Sequence, residues 1–311
     1  MKSCWGITDG SAGMVAQVKA LALATDLPAD MKVVKLKKIF GFLPNIIYSG
    51  RYNPLRRLFL PYILESSQIL KEERPDIIIS CGRRAALVAI LIKNISPKTK
   101  TICIQDPQIS AKNFDVVLAM RHDKIKGANV VKTLFALHSI TPELLKDAAL
   151  KFTPRFSSYR RPYLAVLIGG STNKYKLNME TMRKFIEDLK LLHAKKSGSM
   201  LITPSRRTGK ENVDMLKAEF SGNNNVYIYD GIEENPYMGM LALADEIAVS
   251  NDSVNMMTEA FATSKPVNIV EFAGHKNTKP ARFAEMIKDH PPLMGDEMRN
   301  IADEVIKKLE N

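Results

Sequence analysis

Short β-branched runs alternate with amphipathic segments along this chain, and the alternation restarts once near its middle. That pattern restricts the fold to parallel α/β units, because a strand followed by a helical crossover returns to the sheet running parallel to the strand it left. In the first half the runs predict strands at 3–8, 32–36, 76–81, 101–105, 116–119 and 130–133, with helices at 13–25, 55–73 and 84–95. The stretch 154–162 (PRFSSYRRP) is basic, polar and bracketed by prolines, and it reads as a linker. Strands then follow at 163–168, 200–203, 226–229, 246–250 and 266–270, with helices at 179–194, 212–220, 237–242, 253–262, 281–288 and 297–309. The expected architecture is two doubly wound Rossmann-like domains, 1–155 and 156–311, with the last helices available to pack back on the first. A ligand is expected in the cleft between them, at the carboxyl ends of the strands. A length of 311 residues agrees with two domains.

Charge divides the same way. Residues 1–155 carry 24 Lys and Arg against 12 Asp and Glu, whereas 156–311 carry 21 of each, so the net +12 lies wholly in the first half. Between Met31 and Leu64 there is no acidic residue, and Lys37, Lys38, Arg56 and Arg57 are interleaved with large apolar side chains. Cations mixed with Phe, Ile, Leu and Tyr suit an anionic membrane surface. No apolar stretch is long enough to span a bilayer, and no signal-peptide apolar region follows Met1, so any membrane contact is expected to be peripheral and the compartment cytoplasmic. Three cysteines in strand-like runs read as reduced thiols.

Several common chemistries are set aside. A nicotinamide dehydrogenase or a sugar-nucleotide epimerase would show G-x-G-x-x-G after the first strand, but the turn reads Asp9-Gly10-Ser11-Ala12-Gly13. The phosphate loop, H-E-x-x-H and the G-x-S-x-G elbow are missing, and the five histidines share no metal-ligand spacing. Asp-x-Asp does not occur, so no metal or other cofactor is expected. Nucleic acid is not expected as a partner, since no base-reading motif accompanies the basic stretch.

Polar motifs at strand ends remain. Gly169-Gly170-Ser171 follows a buried run and is either a tight βα turn or a loop whose N–H groups hold phosphate. Ser205-Arg206-Arg207-Thr208 offers two guanidinium groups flanked by hydroxyls, suited to a diphosphate or to an ordinary solvated loop. Asn251-Asp252-Ser253 caps a helix, with Glu259 on the same face as Asp252, where a carboxylate can accept ribose hydroxyls. With Asn235 and Tyr237 these favour a nucleotide pocket in the second domain. In the first domain Asp9, Asp106 and His122 are candidate general bases, each equally able to be a turn former or cap. Gly10, Gly13, Gln17, Gly82 and Arg83 would line the same cleft.

As a set, Trp5-Gly6-Ile7-Thr8-Asp9-Gly10 with Gly13, Met14 and Gln17, then Cys81-Gly82-Arg83, Gln105-Asp106-Pro107, His122-Asp123, Ile202 to Thr208, Asn235-Pro236-Tyr237 and Asn251 to Val254 resemble the ELM family, named for elongated mitochondria in plants. One departure is Phe135, where a glycine is expected. The resemblance implies the architecture of GT-B glycosyltransferases such as the peptidoglycan N-acetylglucosamine transferase and lipid A disaccharide synthase. It thereby implies a nucleotide-sugar substrate held by the carboxyl-terminal domain, through Gly169, Gly170, Ser171, Arg206, Asp252, Ser253 and Glu259. The acceptor would be lipid-linked and held by the amino-terminal domain. Plant members are described as helping recruit a fission GTPase to mitochondria, which implies instead a non-catalytic adaptor. The sequence expectation is therefore a metal-independent transferase, with an adaptor as the alternative.

Overall fold

The computed structural model describes residues 2–37, 64–65, 68–172, 175–194, 198–274, 278–293 and 296–310. Two compact units are present, one comprising Met1–Ser139 with Asp296–Asn311 and the other Ile140–Gly295.

The first unit is a six-stranded sheet built from β1 (Cys4–Thr8), β2 (Ala29–Val33), β3 (Ile77–Cys81), β4 (Lys100–Ile104), β5 (Val116–Met120) and β6 (Val130–Thr133). Its order is β2-β1-β3-β4-β5-β6, with every pairing parallel. Side chains alternate across the sheet, as the period of a strand requires. Ile77, Ile79 and Cys81 join Val18 and Leu21 of α1 (Ala12–Ala24) on one face, while Ile78 joins Val88 and Ile92 of α2 (Arg83–Ile95) on the other. The carboxyl-terminal helix of the chain belongs to this unit and its Ile301, Val305 and Leu309 enter the α1 face of the core. The strand expected at 32–36 lies at 29–33 instead. Among the described residues it is an edge strand with one neighbour and no buried side chain, so its apolar residues fix the register loosely. Of the helix expected at 55–73, only a single turn at Gln68–Leu70 falls within the described residues.

The second unit opens with α3 (Pro142–Phe156), a helix not among those expected from the sequence. Thr141 Oγ1 accepts the Leu144 N–H at 3.1 Å, Pro142 stands in the first turn, and Ala148, Phe152 and Phe156 form the buried stripe. The units therefore divide between Ser139 and Ile140, ahead of the proline-bracketed segment, because α3 packs against α6 (Tyr237–Leu243) of its own unit. The approach is close: a Cβ on Gly239 would lie 2.4 Å from the Phe152 side chain.

The remaining elements are β7 (Tyr163–Ile168), α4 (Met179–Ala194), β8 (Ser199–Pro204), α5 (Lys210–Glu219), β9 (Val226–Ile228), β10 (Glu246–Ser250), α7 (Val254–Phe261), β11 (Val267–Val270) and α8 (Lys279–Ile287). The sheet order is β11-β10-β7-β8-β9, all parallel. Leu164, Val166 and Ile168 meet Met182, Phe185 and Leu189 of α4 in its core. All three cysteines are buried and free, each on a strand of the first unit, and burial pushes the Cys103 thiol up to about 12. The described residues contain no helix long and apolar enough to cross a membrane.

Candidate functional site

In each sheet the winding reverses at one point, and polar residues gather at the carboxyl ends of the two strands beside it. In the second unit that point lies between β7 and β10, which run in register from Leu164 opposite Glu246 to Leu167 opposite Val249. It brings Gly169, Gly170 and Ser171 together with Ser250, Asp252 and Ser253.

The glycine turn there is fully engaged by the protein itself. Gly169 N–H donates to Ser250 Oγ at 2.8 Å and Gly170 N–H donates to Asp252 Oδ2 at 2.7 Å. Ser171 N–H donates to the Arg207 carbonyl at 2.9 Å, and Ser171 Oγ accepts the Leu177 N–H at 3.0 Å. The loop after β8 serves this turn as well. Ser205 Oγ donates to the Gly169 carbonyl at 2.8 Å, Thr208 Oγ1 donates to the same carbonyl at 2.5 Å, and Arg207 Nη1 reaches Gly170 O at 3.1 Å and Asp252 Oδ2 at 3.2 Å. The two hydroxyls and one of the two arginines assigned to diphosphate thus hold backbone. Arg206 differs: its side chain is exposed, with no hydrogen-bond or ion-pair partner among the described residues.

Glu259 and Tyr237 form a second element of the site. Asn235 Oδ1 accepts the Tyr237 N–H at 3.0 Å, fixing the start of α6, and the Tyr237 hydroxyl donates to Glu259 Oε2 at 2.5 Å. Burial raises the Glu259 pKa from its ordinary value, against the opposing effect of the Tyr237 hydrogen bond. Burial, reinforced by Glu259, pushes Tyr237 well above its ordinary value. Ser253 caps α7, its Oγ accepting the Met256 N–H at 3.5 Å. A raised carboxyl binds its proton more tightly in the folded chain than in the unfolded one. Its contribution to stability is therefore full below the unfolded pKa and lost as pH rises through the folded pKa. Glu259→Gln should melt a few degrees above the unmodified chain at about pH 8, and the two should converge at about pH 4. Thermal melts across that range check the sign.

In the first unit the reversal lies between β1 and β3. Gly10 and Gly82 both have φ of 85°, the left-handed region that favours glycine, and a Cβ on Gly82 would displace the Met14 side chain, whose Sδ would lie 2.6 Å away. Gly13 stands in the first turn of α1 and Gln17 is buried on it. Arg83 Nη1 donates to Gln108 Oε1 at 2.9 Å. Asp9 Oδ1 accepts the Ser11 N–H at 3.0 Å and Asp106 Oδ1 the Gln108 N–H at 2.8 Å, so both carboxylates form local turns. His122 Nε2 lies 3.7 Å from Asp123 Oδ1. The three candidate bases follow β1, β4 and β5; the strands of Asp9 and His122 are about 14 Å apart at the usual spacing, too far to share one proton. Among the described residues no cluster of His, Cys, Asp or Glu could hold a metal. Lys37 is exposed, while Lys38, Arg56 and Arg57 lie outside the described residues.

The fold is of the GT-B type, with two Rossmann-like units. Solved structures resembling the chain include the UDP-N-acetylglucosamine 2-epimerase of Rickettsia bellii (TM-score 0.55, 13% identity, covering 100% of this chain and 95% of that one). S. aureus MnaA with UDP (0.58, 12%, 100% and 97%) and MurG of Acinetobacter baumannii (0.51, 13%, 100% and 94%) resemble it as well.

The family is narrower. The profile described as Mitochondrial fission ELM1 matches residues 12–293, and the chain belongs to that family. The Mitochondrial fission protein ELM1 of Arabidopsis thaliana is 30% identical over 71% of this chain, which spans 57% of the plant protein's length. An uncharacterized protein of Rickettsia prowazekii is 26% identical over 98% of this chain and 92% of its own.

Ser250 begins the polar cluster that leaves β10, but its bond to Gly169 and the pairing of Arg207 with Asp252 were not anticipated.

Proposed function

We propose that the protein is a metal-independent glycosyltransferase of GT-B type that moves a sugar from a nucleoside diphosphate donor to a lipid-linked or cell-envelope acceptor. The observation that carries this reading is the Tyr237–Glu259 pair beside the switch point of the second sheet. A mostly buried carboxylate with one oxygen fixed by a phenol is suited to accept ribose hydroxyls with its other oxygen. Arg206 is the guanidinium left to meet donor phosphate. Asp9 is the first choice for the base that takes the acceptor's proton, with Asp106 and His122 behind it. The fold shared with proteins that bind UDP supports the donor class. The basic segment 31–64 is assigned to an anionic membrane surface on the cytoplasmic side; of Lys37, Lys38, Arg56 and Arg57, Lys37 is the one among the described residues.

A second reading, the non-catalytic adaptor, is favoured by the internally satisfied glycine turn and by the family's description. A thermal-shift screen with UDP, GDP, CMP and their sugar derivatives separates the two. A donor at about a hundred times its dissociation constant stabilises the folded chain by about 2.7 kcal/mol. Glu259→Ala and Arg206→Ala should remove that shift while leaving the circular dichroism of the chain intact. No shift with any nucleotide would leave the adaptor.

A further inference from the structure

Three consecutive N–H groups after a buried strand form the kind of turn that holds an anion. In this chain the anion is a side chain. Asp252 Oδ2 takes the Gly170 N–H, and Asp252 Oδ1 takes the Ser250 hydroxyl at 2.6 Å, which in turn accepts the Gly169 N–H. The carboxylate lies against the Gly169 backbone so closely that a Cβ there would be 2.1 and 2.2 Å from its two oxygens. The Asp252 side chain is 0% exposed, and its counter-charge is Arg207, which remains 41% exposed. A bound phosphate clamped by an arginine would occupy the same space and take the same partners.

We propose that Asp252 is a resident anion that closes the Gly169–Ser171 turn to phosphate, so that this unit rejects ligands offering it only a phosphate or pyrophosphate group. A second anion entering beside the carboxylate meets like charge at short range and finds its N–H donors and its arginine taken. Specificity then falls to groups a phosphate lacks. The inference deepens the nucleotide-sugar reading by assigning donor phosphate away from the glycine turn. It rests on that reading only in taking this sheet end as the one that faces ligand.

Pyrophosphate, which carries no nucleoside, tests the turn separately from any nucleotide site. The full chain labelled with nitrogen-15 is titrated with sodium pyrophosphate, following the amides of Gly169 and Gly170, and affinity is measured by calorimetry. The unmodified chain should show no displacement of these amides. Asp252→Ala removes both the charge and the side chain that fills the turn, and it should bind pyrophosphate about tenfold or more tightly than the unmodified chain, with both amides moving. Arg207→Ala in the Asp252→Ala background should remove the gain. Displacement of the two amides in the unmodified chain, or a folded Asp252→Ala with no gain, would overturn the proposal. If Asp252→Ala does not fold, the amide titration of the unmodified chain decides alone. Failure of every nucleotide to bind would overturn the donor reading and leave this result standing.

Discussion

Gly170→Ala is expected to destabilise the chain by about 3–5 kcal/mol, the largest effect of any conservative change at this site. The added Cβ would lie 2.1 Å from the Arg207 carbonyl oxygen, 2.2 Å from its carbon and 2.4 Å from the Thr208 nitrogen. All three are backbone atoms, so no rotamer change relieves the overlap. The 205–208 loop cannot simply withdraw. Its carbonyl at Arg207 accepts Ser171 N–H, Ser205 N–H donates to Ile168 O at 2.8 Å, and Thr208 N–H donates to Ser205 O at 3.0 Å. Moving the loop by the necessary distance breaks the two bonds that tie it to Ile168 and Ser171. Gly222→Ala provides the contrast: nothing lies within 4 Å of its Cβ position, but φ is 75°, so only backbone strain of about 1 kcal/mol is at stake. Urea denaturation followed by far-ultraviolet circular dichroism should rank the two, with hydrogen exchange locating the Gly170→Ala damage at β7 and β8. Equal midpoints for both variants would mean that the two loops are not held together as described.

The contrast between Arg206 and Arg207 shows where sequence reasoning stops. Side by side, flanked by the same hydroxyls, they are equivalent by every local criterion, and both were assigned to a donor. Folding turns one back onto Gly170, Ser171 and Asp252 and leaves the other in solvent. Its cause is a partner 45 residues away, which no window of sequence contains. The strands were legible for the opposite reason. Runs such as Ile77–Cys81 and Tyr163–Ile168 are apolar on both faces and bounded by turn residues, so composition alone marks them as buried parallel strands. Strand-end positions were legible too, since small polar residues after such a run have few other uses. Helix α3 was missed although Thr141-Pro142-Glu143 is a sound start signal and Ala148, Phe152 and Phe156 keep a helical spacing. Pro154 was read as punctuation, but it lies in the last turn, where the N–H it lacks is one bond at the end of a helix already held by packing.

Asp252→Ala should destabilise the chain by about 3 kcal/mol, and the reasons differ from those at Gly170. Nothing is overfilled; a buried acceptor is taken away from Gly170 N–H, from the Ser250 hydroxyl and from Arg207 at once. Breaking a buried charged pair usually costs about 3–5 kcal/mol, and the lower end applies because Arg207 is 41% exposed and can turn to water. Asp252→Asn should therefore retain most of the stability, since an amide oxygen can still accept from Gly170. Arg207→Ala alone should cost about 1 kcal/mol, and adding it to Asp252→Ala should cost less still, because the partner it would lose is already gone. The space vacated in Asp252→Ala retains the free N–H groups and the arginine, which is the arrangement an external anion needs. Phosphate should then restore part of the lost stability to Asp252→Ala in urea titrations, where chloride at equal ionic strength does not, and should do nothing comparable for the unmodified chain. Equal responses of the two proteins to phosphate would mean that the carboxylate holds backbone only and that the turn has no affinity for anions to be blocked.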